Sequence, residues 1–209
     1  SDIDVLHRHT EGWIAGLQLA AQSIRQPEGV RRLSESFGGS QRFILDYLIE
    51  EVFRQQPADI RDFLLRTSIL DRFTPGLCDA VAGREGSREA RQTLEQANLF
   101  IMPLDESRQW YRYHHLFADA LRHRLQIERA EEMPDLHRRA SQWFEAEGYL
   151  ADAIQHALAA SDWERAARLI GQASDAMLKG GEIVTLIGWC NKLPEVIVRS
   201  QPPLSIVYA

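Results

Sequence analysis

Cysteine is scarce: Cys78 and Cys190 are the only two in 209 residues, and they form no C-x-x-C pair. That pattern excludes a cysteine-built metal motif and a disulfide framework, and it suits buried small hydrophobes in a reducing, cytoplasmic setting. Positive charge is in deficit too. Lys and Arg number 24 against 30 Asp and Glu, for a net charge of −6, whereas nucleic-acid modules carry a basic excess. No apolar run approaches the ~20 residues of a membrane-spanning helix. No charged and then apolar leader opens the chain. Without an initial Met, and with "LSIVYA" near its end, the chain reads as an internal piece of a longer protein.

Signatures of chemistry are missing as well. No Gly-x-x-x-x-Gly-Lys-Ser/Thr loop occurs, so the chain cannot cradle a triphosphate by itself. No Gly-x-Ser-x-Gly elbow presents a nucleophile, and Ser141 and Ser174 fall inside helical patterns. Glu50/Glu51 and Glu131/Glu132 have the look of solvated helix faces. His114 and His115 are neighbours, so in extended backbone their rings point to opposite faces. No further His or Cys falls at ligand spacing beside them. No metal site and no self-contained enzyme are expected.

What is present is helical periodicity. In "EGWIAGLQLAAQSI", Ile14, Leu17, Ala21 and Ile24 recur at three- and four-residue steps after Thr10, a possible N-cap. A second helix is expected over Gln41–Arg54, ending before Pro57. "ADIRDFLLRTSIL" and "TPGLCDAVAG" give two short helices. In the latter Thr74 caps, Pro75 takes the first helical position and Gly83 ends it. "SREARQTLEQANLF" gives a third. "LFIMPL" and "WYRYH", separated by "DESRQ", then read as a two-stranded hairpin, and a helix follows. Three helices, a hairpin and a helix are a winged-helix pattern. From Pro134 on, Gly148 and Gly181 end helices about one tetratricopeptide period (about 34 residues) apart. Asp162 opens a helix with Glu164 in its first turn, where the dipole favours acids. The predicted class is mainly α: a helical lid portion over residues 1–56, a winged helix with a short β-hairpin over 57–130, and tetratricopeptide-like helical hairpins over 131–209.

Winged helices often bind DNA, but here Arg122, Arg124, Arg129, Arg138 and Arg139 are offset by Asp119, Glu128, Glu131, Glu132 and Asp135, so no basic face is expected. His114 alone admits two readings, a hydrogen-bonded residue at the hairpin-to-helix junction or a phosphate contact to a group held elsewhere.

"TEGWIAGLQLAA", "FLLRTSILDRFTPGLCDAV", "LEQANLFIMPLDESRQWYRYHHLFADALRHRL" and "ASQWFEAEGYLADAIQHAL" together resemble the MalT-like, large ATP-binding LuxR-type transcriptional regulators, members of the STAND class of signal-transduction ATPases. The resemblance runs along nearly the whole chain. It implies the end of a lid, a winged helix and the start of a helical arm. A nucleotide-binding domain would precede the segment, and a sensor and a DNA-binding domain would follow it. It also implies ADP or ATP with Mg in the full-length protein, slow ATPase activity there, and self-association in the active state. The upstream domain of the same chain would be the segment's partner. "Arg112-Tyr113-His114-His115-Leu116" resembles an Arg-Met-His-Asp-Leu element whose histidine meets the β-phosphate of ADP. By position that role falls to His114, beside Arg112, with His115 where the relatives have Asp. "Gly12-Trp13-Ile14-Ala15-Gly16-Leu17" resembles a Gly-Leu-Pro-Leu lid element near the base, which locates Gly12 and Trp13. The expected function is a regulatory middle segment coupling nucleotide state to opening; the alternative is an interaction scaffold without a nucleotide role.

Overall fold

A computed structural model describes residues 50, 53–83, 86, 94 and 101–200. The expected lid helix with Thr10, Gly12 and Trp13 lies outside them, as do most of Gln41–Arg54, most of the helix from Ser87, and Leu204, Ile206 and Val207. Among the described residues the chain is helical apart from one antiparallel two-stranded sheet, with no cis peptide bond.

Helix α1 (Ala58–Thr67) follows Pro57, which lacks the N–H needed to continue a helix. Its Ile60, Phe63, Leu64 and Thr67 are buried at three- and four-residue steps. Helix α2 (Pro75–Ala82) is built as its sequence dictates. The Thr74 hydroxyl accepts the Leu77 N–H at 3.2 Å, Pro75 is the first helical residue, and Gly83 at φ 68° ends it. Strands β1 (Ile101–Pro103) and β2 (Tyr111–Tyr113) pair with Met102 opposite Arg112. The Asp105 carboxylate organises their turn, accepting the N–H groups of Gln109 and Trp110 at 2.9 and 2.7 Å and the Ser107 hydroxyl at 2.7 Å. One further rung is not legible in the sequence. Phe73 and Tyr111 exchange backbone hydrogen bonds of 2.8 and 2.9 Å, so the α1–α2 connection edges the sheet.

Helix α3 (His115–Glu128) leaves the hairpin directly. A 3-10 turn, Ala130–Glu132, joins it to α4 (Met133–Ala146). Then come α5 (Leu150–Ala159), α6 (Trp163–Gly180), α7 (Ile183–Cys190) and α8 (Glu195–Ser200). Three of these hairpin turns close in one way. After α4, Tyr149 N–H reaches Phe144 C=O and Gly148 N–H reaches Glu145 C=O; Asp162 and Ser161 repeat the pair after α5, and Glu182 and Gly181 after α6. This paired closure satisfies the orphan carbonyls and puts one residue in the left-handed region. That residue is Gly148 at φ 83°, Ser161 at φ 55° and Gly181 at φ 78°. Asp162 then caps α6 through the Arg165 N–H at 3.3 Å.

Packing joins the winged helix to the hairpins without a break. α1 packs on α2 and α3, α2 on α4, and α4, α5 and α6 in sequence. One buried hydrophobic cluster runs from Phe53 through Phe63, Leu77, Tyr111 and Phe117 to Phe144, Ile154, Ile170 and Leu193. Cys78 and Cys190 are buried free thiols, and burial pushes the Cys78 thiol up.

Candidate functional site

The hairpin-to-helix step is fixed from below. Tyr111 and Tyr113, two residues apart on β2, share one sheet face and are buried, while Arg112 between them is half-buried. The Tyr113 ring lies 4.7 Å from that of Phe73 and edge-on to Phe117. Its hydroxyl is 2.7 Å from Thr67 Oγ1, which stands 2.7 Å from the Phe63 carbonyl. A threonine hydroxyl has one hydrogen. Thr67 gives it to Phe63, so Tyr113 is the donor to Thr67. Burial pushes the Tyr113 phenol well above its ordinary range, which keeps that proton in place.

His114 follows as the residue capping α3. Its carbonyl accepts the Ala118 N–H at 2.9 Å, and its side chain is 3% exposed. His115, the first helical residue, is exposed. The two rings stack, with centroids 4.5 Å apart and planes 29° from parallel. This corrects the expectation that they diverge. Alternation of faces requires two extended residues, and here the backbone turns into the helix at His115. Arg112 sits one residue before Tyr113 on β2; Gly12 and Trp13 lie outside the described residues.

The arginines along α3 and α4 are engaged within the chain. Arg122 meets Asp71 at 2.7 Å and Asp119 at 3.4 Å, and its Nε donates to the Ser68 carbonyl. Arg124 meets Glu50 and Glu128 and lies over the Phe53 ring. Burial alone would raise the Glu50 carboxyl, but Arg124 and Arg54 hold it below its ordinary value. Arg129 pairs with Asp62 and Glu132, Arg138 with Asp135 and Asp162, and Arg139 donates to the Val81 carbonyl. Glu50 and Glu132 are therefore cross-element partners as well as surface acids.

Sequence reasoning missed the seam between the winged helix and the first helical hairpin. There Arg72 bonds Asp152 of α5 at 2.9 Å and lies over the rings of Trp110 and Tyr149. Nearby, His137 and His156 meet through their Nδ1 atoms at 2.8 Å. The available signal was weak: each histidine lies three residues from a buried alanine, Ala140 and Ala153 respectively, on an inner helix flank. Among the described residues no group of three or more His, Cys, Asp or Glu could hold a metal ion, and no helix is long and apolar enough to cross a membrane.

The described residues thus form a winged helix that runs without a break into packed helical hairpins. Residues 49–134 match the MalT winged helix domain family, and the chain is MalT-like along its length. It is 36% identical over 201 residues to the HTH-type transcriptional regulator MalT of Yersinia enterocolitica, covering 95% of this chain and 22% of that protein. It is 35% identical over 209 residues to the serine/threonine-protein kinase PknK of Mycobacterium tuberculosis, covering 100% of this chain and 19% of that protein. The chain thus spans about a fifth of the length of these relatives.

Proposed function

We propose that this chain is a regulatory middle segment that couples the ADP or ATP state of an upstream nucleotide-binding domain to opening and self-association of a longer cytoplasmic protein. It is not catalytic by itself. One observation carries the reading: the segment recurs at 35–36% identity in a protein named a transcriptional regulator and in one named a kinase. Those names describe different outputs. A role common to both would be transmission rather than base reading or phosphotransfer. The pairing of Arg122, Arg124, Arg129 and Arg138 with carboxylates agrees, since it leaves little uncompensated positive charge for a phosphate backbone. Residues 131–209 serve in this reading as the start of a tetratricopeptide-like arm.

Any nucleotide and its Mg would be held by the upstream domain, because this sequence contains no phosphate loop. The described residues fit an auxiliary contact only. His114, 3% exposed, would offer an edge of its ring at a closed domain seam. Arg112 stands beside it on β2, and Gly12 and Trp13 belong to the lid side. A contact made only in the docked state biases a two-state equilibrium by its differential free energy, about 1–3 kcal/mol for coupled sites. In the full-length protein His114→Ala is expected to speed ADP release and raise output without inducer. ADP release and basal output both equal to those of the unaltered protein would remove His114 from the mechanism.

A second reading, an interaction scaffold, is favoured by the apolar outer face of α7. There Ile183 and Val184 are exposed, Val184 at 85%. Nucleotide-independent self-association of the full-length protein would favour it.

A further inference from the structure

The His137–His156 contact has a geometry that decides its chemistry. The two Nδ1 atoms are 2.8 Å apart and the ring centroids 5.0 Å. The difference is about two imidazole radii, so the nitrogens face each other head-on, nearly on the line joining the rings. Two lone pairs aimed along one line cannot converge on a metal ion. Placing one between them would take two bonds of about 2.0–2.1 Å each, far more than the 2.8 Å present. One hydrogen does fit. A neutral imidazole carries its proton on one nitrogen and accepts at the other. The contact therefore demands opposite tautomers, with Nδ1–H on one ring and a bare Nδ1 on its partner.

We propose that His137 and His156 form a one-proton dyad that keys α5 onto α4 beside the winged helix and unlocks when both rings become protonated. A single added proton preserves the bond as an imidazolium donating to a neutral ring. A second places two N–H groups head to head and two positive charges in contact. The surroundings resist this loading. His156 stacks on Phe144, centroids 5.4 Å apart and planes 16° from parallel, and both rings are largely withdrawn from water. Arg122 of α3 opposes protonation of His137, while Asp71 of the α1–α2 connection favours protonation of both rings. Asp71 is already engaged by Arg122, and Asp152, one turn before His156 on α5, is engaged by Arg72. No uncommitted acid among these neighbours is left to neutralise a doubly charged pair.

The direction of the pH response follows. Burial is the largest cause, followed for His137 by its partner ring, and each histidine is lowered from 6.5 to about 4. Between those values the unfolded or unkeyed chain binds protons that the keyed chain refuses. The keyed state is thus fully favoured above pH 6.5 and loses ground as pH falls toward 4. The populations shift by up to about tenfold per pH unit for each proton that the keyed pair refuses.

The test is NMR of the imidazole nitrogens in the intact chain at neutral pH, followed by urea titrations from pH 7 to 4.5. Expected are one Nδ1–H and one Nε2–H ring, coupled across the bond. The urea midpoint should fall with pH, and the fall should be shallower in His156→Asn, whose amide occupies the Nδ1 position without titrating. Two Nε2–H rings would overturn the dyad, as would equal pH slopes in the two proteins. So would displacement of both rings' resonances by stoichiometric zinc, which would mean a chelate. The tautomer measurement needs no variant, so a His156→Asn chain that failed to fold would leave the proposal testable.

Discussion

The order of hydrogen bonds beneath His114 makes an asymmetric prediction. Thr67 is fully buried and Tyr113 is 3% exposed. Their hydroxyls form a directed chain in which Tyr113 donates to Thr67 and Thr67 donates to Phe63. Thr67→Val keeps the side-chain shape but leaves the Tyr113 hydroxyl buried with its acceptor gone, at a cost of about 1–3 kcal/mol. Tyr113→Phe removes the donor instead. Thr67 still gives its hydrogen to Phe63, and the loss is one net hydrogen bond, about 0.5–1.5 kcal/mol. Removing both partners leaves no orphan, so the double variant should be more stable than Thr67→Val alone. A coupling of about 1–2 kcal/mol, within the range for residues in direct contact, is expected. Urea denaturation followed by tryptophan fluorescence, with Trp110 and Trp143 close to the hairpin, reads all four corners of the cycle. If Tyr113→Phe cost more than Thr67→Val, or the two losses simply added, the assigned donor order would be wrong.

Other consequences can be checked in the same denaturation format. At Gly148 a Cβ would meet nothing within 4 Å, so Gly148→Ala should cost the conformational penalty alone, about 1–2 kcal/mol. Ser161 holds the equivalent left-handed position at φ 55° without being glycine. Ser161→Gly should be neutral or stabilising, by at most about 1 kcal/mol after the added unfolded-state freedom; the check is that Gly148→Ala destabilises and Ser161→Gly does not. In the hairpin turn, hydrogen bonds from the Gln109 N–H, the Ser107 hydroxyl and the Trp110 N–H hold the Asp105 carboxyl below its ordinary value. Its contribution is therefore present above the unfolded carboxylate value and lost as pH falls through the lower folded one. Asp105→Asn should abolish that acid step in amide exchange at Gln109 and Trp110.

Where local rules decide structure, the sequence was readable. Thr74-Pro75 and Gly83 bounded α2, Gly148 and Gly181 ended helices, Asp162 opened α6, and the turn residues of "DESRQ" separated the strands. These are short-range effects: a cap, a ring-locked φ, a residue tolerant of positive φ. Ser161 escaped notice because the turn it closes needs only that the left-handed cost be outweighed by packing. The Phe73–Tyr111 rung, the Arg72–Asp152 pair and the His137–His156 contact escaped for a different reason. Their partners are 19 to 80 residues apart, and no periodicity within one element encodes a pairing between two. The stacking of His114 on His115 depended on where the strand gives way to the helix, a boundary that propensity places only to within a residue or two.

The joint between the winged helix and the arm is not built as a hinge. Hinges absorb motion at a few residues that can change φ and ψ without losing partners. At Arg129–Glu132 side-chain ion pairs hold the connection to α1. Arg129 bonds Asp62, which raises its pKa, and it lies 3.8 Å from Glu132. Arg66 of α1 lies 3.3 Å from both Asp62 and Glu132, and its Nη1 donates to the Ala82 carbonyl at the end of α2. On the opposite side Arg72 grips Asp152, Trp110 and Tyr149. A displacement of the hairpin at His114 would have to break these contacts to leave α4 and α5 behind. Moving them together breaks none. The winged helix and the first helical hairpin therefore pack as one body, which is what the proposed transmission would require.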